Sequence, residues 1–260
     1  MREYEDPLLA ELIRKLHASD GFEAAFEVYQ QTVMDLGYEG VLYGYAPALY
    51  GENDPLFKTP VFRASGLYSQ TFMNHYCEAE YDRYDYTIKA ILEGKMEVLD
   101  WWRAIYHNQL LPNEVKVLQV AQHYGLRNGL TLPLMKNQLG ISGISVASRE
   151  KRESFDRLNR KQFLNLRNCS RIFNDHIWTH DNSELLRLFS KPVLDTLTKR
   201  EKDVLRLLPF CNSNKEIATQ LGFKTRNCEN LLNSLRSKFG GVHTYRLIYY
   251  SGLLRFDDYL

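Results

Sequence analysis

Apolar residues recur every three or four positions at Leu8, Leu9, Leu12, Ile13 and Leu16, and again at Phe22, Ala25, Phe26, Tyr29 and Val33. Each set lines one face of a helix, and Asp20 with Glu23 can cap the second, which stops near Gly37. The pattern then turns strand-like, with Val41, Leu42, Tyr43 and Tyr45, and does so again at Val61-Phe62-Arg63-Ala64. Between the two lies Gly51-Glu52-Asn53-Asp54-Pro55, a loop by composition. Helical spacing follows to about residue 95, and Asn113 and Glu114 open a further helix to Tyr124. Two more strands, at residues 130–134 and 141–147, flank the polar turn Lys136-Asn137-Gln138. A long helix runs from about residue 153 to 178. Helices before, between and after strands predict an α+β chain whose first 180 residues form an α-β-α sandwich. Its sheet is expected to be mixed or antiparallel, with helices on both faces.

Residues 181–195 read as a linker with a short helical piece ended by Pro192. Beyond it, residues 196–260 have only the helical period. Thr198 followed by Glu201 is a capping box, in which the hydroxyl takes an orphan amide and the carboxylate reaches back. Ser213 and Glu216 repeat it before a helix with Ile217, Ala218 and Leu221 on its inner face, and Gly222 suits the turn after it. Cys228, Leu231, Leu232, Leu235 and Phe239 mark a third helix, and residues 243–251 a fourth, ended by Gly252. Two short helices, a tight glycine turn and an amphipathic third helix make an all-α helix-turn-helix domain.

Net charge is only +1, but it is unevenly spread. From residue 191 onward 12 Lys and Arg face 7 Asp and Glu, while the first 190 residues carry 21 against 25. A basic end on an acidic body fits a nucleic-acid footprint confined to that end. Cys77, Cys169, Cys211 and Cys228 have neither zinc-finger spacing nor disulfide-scaffold density. With no membrane-length apolar run and no signal-like start, a cytoplasmic location is expected.

One region is unusually aromatic: Tyr68, Phe72, Tyr76, Tyr81, Tyr84, Tyr86, Trp101 and Trp102, with Asp85 among them. An apolar cavity with a few converging polar groups is how small-molecule sites are built; the alternative is that the rings are core and Asp85 a helix cap. Glu78, Glu80, Asp82 and Asp85 are crowded enough for acid–base work, but no nucleophile motif or phosphate loop accompanies them. His176 and His180 stand four apart as metal ligands can, yet no HExxH motif or cysteine pair completes a site. The pair reads as a solvated helix face, and the chain as no enzyme.

The run Leu197-Thr198, Arg200-Glu201, Val204-Leu205, Asn214-Lys215-Glu216-Ile217-Ala218 and Lys238-Phe239-Gly240 resembles the DNA-binding domain of LuxR-type transcription factors. Earlier in the chain, Tyr68, Phe72, Tyr76 and Asp85 keep the tyrosine–tryptophan–tyrosine–aspartate spacing of that family's signal-binding domain. Gly125-Leu126-Arg127-Asn128-Gly129-Leu130 and Ile144-Ser145-Val146-Ala147 match its strands. The resemblance implies a quorum-sensing regulator that binds an acyl-homoserine lactone or a related amphipathic signal and has no other cofactor. Carried over, Asp85 accepts from an acyl-amide NH, and Tyr68 donates to the amide carbonyl. Thr87 or Ser145 adds a polar contact, and Tyr76 and Trp101 wall the cavity, with Trp102 the alternative to Trp101. Gly129 serves packing rather than contact. Phe72 stands where the family has a tryptophan whose indole NH holds the lactone carbonyl, and Tyr86 replaces a proline.

The resemblance also implies double-stranded DNA with a palindromic operator, a homodimer paired through the fourth helix, and RNA polymerase as partners, and no membrane. Bases would be read from Lys224, Thr225, Arg226, Asn227, Asn230 and Asn233, with Arg236 on the same face, and phosphates held by Lys199, Lys215 and Lys238. Arg200, Lys202 and Arg246 are further phosphate candidates. Glu229 and Leu231 replace the family's usual lysine and histidine. They keep open a second reading, in which the chain sequesters another regulator by heterodimerisation without reading DNA.

Overall fold

A computed structural model describes residues 6–47, 60–107, 110–138, 140–258 and 260. These divide into two compact units with the boundary between Asp181 and Asn182. The Gly51 to Pro55 loop lies outside the described residues.

In the N-terminal unit, helices α1 (Pro7–His17) and α2 (Gly21–Asp35) precede strands β1 (Gly40–Pro47) and β2 (Val61–Gly66). Helices α3 (Gln70–Glu78) and α4 (Tyr86–Leu92) follow, separated by a 3-10 turn at Tyr81–Arg83. Next come a two-residue strand β3 (Leu99–Asp100) and two helices, α5 (Trp101–Tyr106) and α6 (Pro112–His123). Strands β4 (Asn128–Asn137) and β5 (Gly140–Ser148) lead into α7 (Arg152–His176), which closes in a π turn at Ile177–Asp181. The sheet has the order β2-β1-β5-β4-β3, and each pairing is antiparallel, so the mixed alternative falls away. Lys136 and Asn137, expected in a turn, belong to the ladder, paired with Ile141 and Gly140. Neither β3 nor α5 was predicted, because a two-residue strand and a six-residue helix are too short to show a period.

Alternation along the strands assigns the two faces. Val41, Tyr43 and Tyr45 of β1 are fully buried on the face covered by α1, α2 and α7. There Phe173 stacks on Tyr29 at 4.5 Å and takes Tyr43 edge-on at 5.4 Å. The polar tips in this core are satisfied: the Tyr29 hydroxyl bonds to that of Ser170 at 2.7 Å, and Asn174 Oδ1 accepts from Ser142 at 2.7 Å. That matters because an unpaired buried polar group costs ~1–3 kcal/mol.

The opposite face carries small residues, and α3 to α6 cover it. Gly129 and Gly143 leave room for side chains to lie flat on the strands. A Cβ at Gly129 would stand 2.6 Å from the Trp101 ring, and one at Gly143 would stand 3.1 Å from Ile91 Cδ1. Gly129 is thus a packing residue, as read from sequence.

The C-terminal unit begins with α8 (Asn182–Leu194), so the predicted linker is mostly helix. Leu185, Leu186, Phe189, Val193 and Leu194 are buried, and that apolar stripe extends the expected short helical piece over the whole stretch. Pro192 lies within its last turn instead of ending it. Then come α9 (Lys199–Leu207), α10 (Asn214–Gln220), α11 (Thr225–Lys238) and α12 (Thr244–Leu253). Gly252 lies inside α12, and the left-handed turn after it is taken by Arg255 at φ 50°.

Replacing Gly129 by alanine forces the Trp101 ring off the sheet. A loss of ~1–3 kcal/mol in unfolding free energy is expected, with a red-shifted tryptophan emission. Denaturant melts followed by fluorescence measure both.

Candidate signal pocket and DNA-reading surface

On the small-residue face lies a cavity of about 80 Å³. Its floor is the sheet, through Leu42, Gly44, Gly143 and Ser145. Its walls come from Tyr68, Phe72 and Tyr76 at one side, Ile88 and Ile91 of α4, Trp101 of α5, and Val117, Leu118 and Ala121 of α6. The four-residue spacing of Phe72 and Tyr76 puts both on the inner face of α3, their ring centres 5.9 Å apart. Ser69 fixes the start of that helix by accepting from the Phe72 amide at 3.2 Å.

Several polar groups face this apolar space. Asp85 caps α4, its Oδ1 accepting from the Thr87 amide at 2.8 Å and the Thr87 hydroxyl at 2.6 Å. Its Oδ2 accepts from the Tyr76 hydroxyl at 2.9 Å. The two readings of Asp85, helix cap and cavity carboxylate, therefore coexist. Thr87 spends its hydroxyl on orienting Asp85. Across the cavity the Trp101 indole donates to Thr131 Oγ1 at 3.0 Å, which shares a hydrogen bond with Ser145 at 2.8 Å.

Tyr68 is different: it is buried, and its hydroxyl has no hydrogen-bond partner. Burial first, then the charge of Asp85, raise its phenol well above the ordinary value against a weaker opposing pull from the nearby Ser145 hydroxyl, so it is a neutral donor. Tyr86 likewise has a buried hydroxyl without a partner but does not line the cavity.

The structure brings together Tyr68, Phe72, Tyr76, Asp85, Thr87, Trp101 and Ser145 around one space. It also decides between the tryptophans: Trp101 lines the cavity, while the Trp102 indole donates to the Arg127 carbonyl outside it. Asp100 sets this choice by capping α5 and gripping Arg152 of α7. Thr131 and the inner face of α6 were not singled out from sequence. A threonine on a strand and an amphipathic helix read as ordinary core, and only the three-dimensional junction with Trp101 marks them.

In the C-terminal unit, Ile217, Ala218, Cys228, Leu232, Leu235 and Phe239 are buried, which leaves one face of α11 to solvent. Lys224, Thr225, Arg226, Asn227, Asn230 and Asn233 are exposed, as are Lys199 and Lys215. Glu229 is exposed among them, while Leu231 is half-buried, partly joining the inner face. The turn before α11 uses Gly222 at φ 69°, with the Phe223 amide donating to the Ala218 carbonyl at 2.7 Å.

Residues 21–174 match the family described as Autoinducer binding domain, and residues 195–250 match that described as Bacterial regulatory proteins, luxR family. The chain belongs to the LuxR family. Comparison with curated proteins gives no match. Among solved structures, Escherichia coli SdiA is similar over 96% of this chain and 97% of that one, at 16% identity and a TM-score of 0.54. SdiA in complex with octanoyl-rac-glycerol aligns over 95% and 93%, at 16% identity and a TM-score of 0.50. CepR2 from Burkholderia cenocepacia, an N-acylhomoserine lactone dependent LuxR family factor, aligns over 65% and 90%, at 16% identity and a TM-score of 0.45. The two likenesses to SdiA show the fold. The two family matches identify a signal-binding and a helix-turn-helix domain in one chain, the composition of a non-enzymatic, ligand-responsive transcription regulator. No helix among the described residues is long and apolar enough to cross a membrane.

The capping box of this LuxR-type domain does more than start a helix. Buried Glu201 accepts from the Thr198 amide at 2.7 Å, from the Ser234 hydroxyl at 2.6 Å and from Lys238 Nζ at 2.7 Å, tying α9 to α11. Lys238 also donates to the Thr196 carbonyl at 2.8 Å, so its ammonium is committed inside the domain. That use competes with its expected role on phosphate. The second box is incomplete: the Ser213 hydroxyl accepts from the Glu216 amide, but the Glu216 carboxylate reaches back to Asn212.

Desolvation pushes the Glu201 carboxyl up, but Lys238, Ser234 and Thr198 outweigh it and hold it at about 2. A depressed carboxyl stabilises the fold fully above its unfolded value near 4.5, and that stability is lost as pH falls from there toward 2. Replacing Glu201 by glutamine should cost about 2 kcal/mol at pH 7, discounted for the 30% exposure of Lys238. The difference should shrink below pH 4.5. Amide exchange in α9 and α11, converted to opening free energies at each pH, reads both effects.

Proposed function

We propose that this LuxR-type chain is a dimeric transcription regulator whose cavity takes an acyl-homoserine lactone or a related small amphipathic acyl compound. The observation that carries the reading is the buried, unpartnered Tyr68 hydroxyl in an apolar cavity that also holds the Asp85 carboxylate. A donor and an acceptor at one end of an apolar space match the carbonyl and NH of an acyl amide, and the space beyond takes the acyl chain. Tyr68 donates to the carbonyl. Asp85 keeps acceptor capacity for the NH beyond its three bonds to Tyr76 and Thr87. Ser145 supplies the second polar contact, Thr87 aims Asp85, and Tyr76, Trp101 and Phe72 wall the site.

Phe72 has no indole NH for a lactone carbonyl, which favours a head group less dependent on that bond. The octanoyl-rac-glycerol held by SdiA is an acyl compound of that kind. At about 80 Å³ the cavity is smaller than the ~300–1,000 Å³ of typical ligand pockets, so the walls must part to admit a signal. Binding then couples to the ordering of α3 to α6, and linkage makes signal and DNA affinity mutually dependent.

In the second unit Arg226, Asn227, Asn230 and Asn233, with Lys224 and Thr225 at the start of α11, read bases, and Lys199 and Lys215 hold phosphates. Tyr245 and Tyr249 of α12, one turn apart and 86% and 51% exposed, supply the dimer contact. Two domains so paired read a palindrome at half-site spacing. Exposed Glu229 beside Asn230 favours a second reading, in which repulsion from phosphate leaves the chain to sequester another regulator.

A gel shift on a palindromic operator separates the two. The first reading requires a shift that weakens steeply with added salt, since neutralised phosphates release counterions; no shift at low salt with ligand present selects the second. Asp85→Ala should weaken ligand binding by ~10-fold or more, as expected for one charged hydrogen bond. Phe72→Trp should strengthen binding of a lactone ~5-fold while leaving an acylglycerol unimproved. Calorimetry on the full chain measures both.

A further inference from the structure

Helix α1 ends at His17, α7 ends at His176, and the π turn that follows carries His180. Alone, the pair His176 and His180 is one turn of a helix. The fold adds the third ring, because α1 packs along α7 and brings its last residue to the same point. The His17 ring meets those of His176 and His180 at 5.5 Å each, and these two stand 4.9 Å apart, none stacked face to face. Across the three side chains the nitrogens that could ligate lie within 4.8 Å of one another. Imidazole nitrogens that converge this closely from three elements can share one cation.

We propose that His17, His176 and His180 bind one divalent transition-metal ion of the zinc and cobalt class, with a water as fourth ligand. Three neutral imidazoles suit zinc, cobalt, nickel or copper and suit calcium and magnesium poorly, since those take oxygen donors. Zinc–nitrogen bonds of ~2.0–2.1 Å place tetrahedral donor atoms roughly 3.3 Å apart, so the rings must close by about an ångström. His17 and His180 are exposed, which leaves them room to turn inward. The ion clamps the end of α1 to the π turn that directly precedes Asn182, where the chain enters the C-terminal unit. A π insertion is a frequent place for function and a weak point in a helix, and a ligated ion would hold it.

The test uses the full, untagged chain, stripped with a chelator and titrated with Co²⁺. One equivalent should bind per chain, with the intense visible bands of tetrahedral cobalt and a raised melting temperature. His17→Ala and His180→Ala should each weaken cobalt binding by on the order of 100-fold. Cys77→Ser should leave it unchanged, since the exposed thiol is the obvious competing donor. Saturating the unmutated chain with zinc should shift the ring nitrogens of these three among its seven histidines, which needs no variant to fold. Cobalt binding unaltered in His17→Ala, a thiolate-to-cobalt charge-transfer band, or zinc shifts at other histidines would overturn the proposal.

Discussion

A phenol buried without a partner sets the terms for the N-terminal domain. Leaving the Tyr68 hydroxyl unpaired costs ~1–3 kcal/mol, a large share of the margin by which a domain is stable. The other face of the same sheet shows that the sequence can satisfy such groups, as with Tyr29 on Ser170 and Ser142 on Asn174. The unmet Tyr68 donor lies on the side where glycines thin the sheet and leave a space. A ligand carbonyl would remove the penalty while its acyl chain buries apolar surface, so occupancy and stability rise together.

The geometry around that donor is held from several directions. Asp85 is aimed by Thr87 and Tyr76, and Trp101 is fixed by Thr131 and Ser145 below it and by Gly129 behind it. Asp100, gripped by Arg152, starts the helix that carries Trp101 inward. The C-terminal domain is organised around a charge that is fully met. Glu201 joins α9 to α11 through Thr198, Ser234 and Lys238, and so fixes the pose of the helix that presents Arg226, Asn227 and Asn230.

Much of this was legible in the sequence. Period-3.6 and period-2 patterns marked the helices and strands flanking the cavity, and the resemblance to the LuxR signal-binding spacing, with Tyr68, Phe72, Tyr76 and Asp85, picked out residues that share it. What escaped falls into physical classes. Strand β3 and helix α5 are too short to carry a period. Helix α8 was hidden by a proline within its last turn. Contacts between residues distant in sequence, such as Trp101 with Thr131 or Glu201 with Ser234 and Lys238, leave no local trace. A lysine committed to a buried carboxylate looks in sequence like any surface cation, which is why Lys238 was grouped with the phosphate contacts.

A cavity whose occupancy completes the fold should hold its signal through purification. Native mass spectrometry of the full chain purified from cells supplied with acyl-homoserine lactones, followed by organic extraction, tests it most directly. One small acyl compound per chain is expected, retained in the unmutated protein and depleted when Tyr68 is replaced by phenylalanine. A folded, stable protein carrying no small molecule under any of these conditions would contradict it.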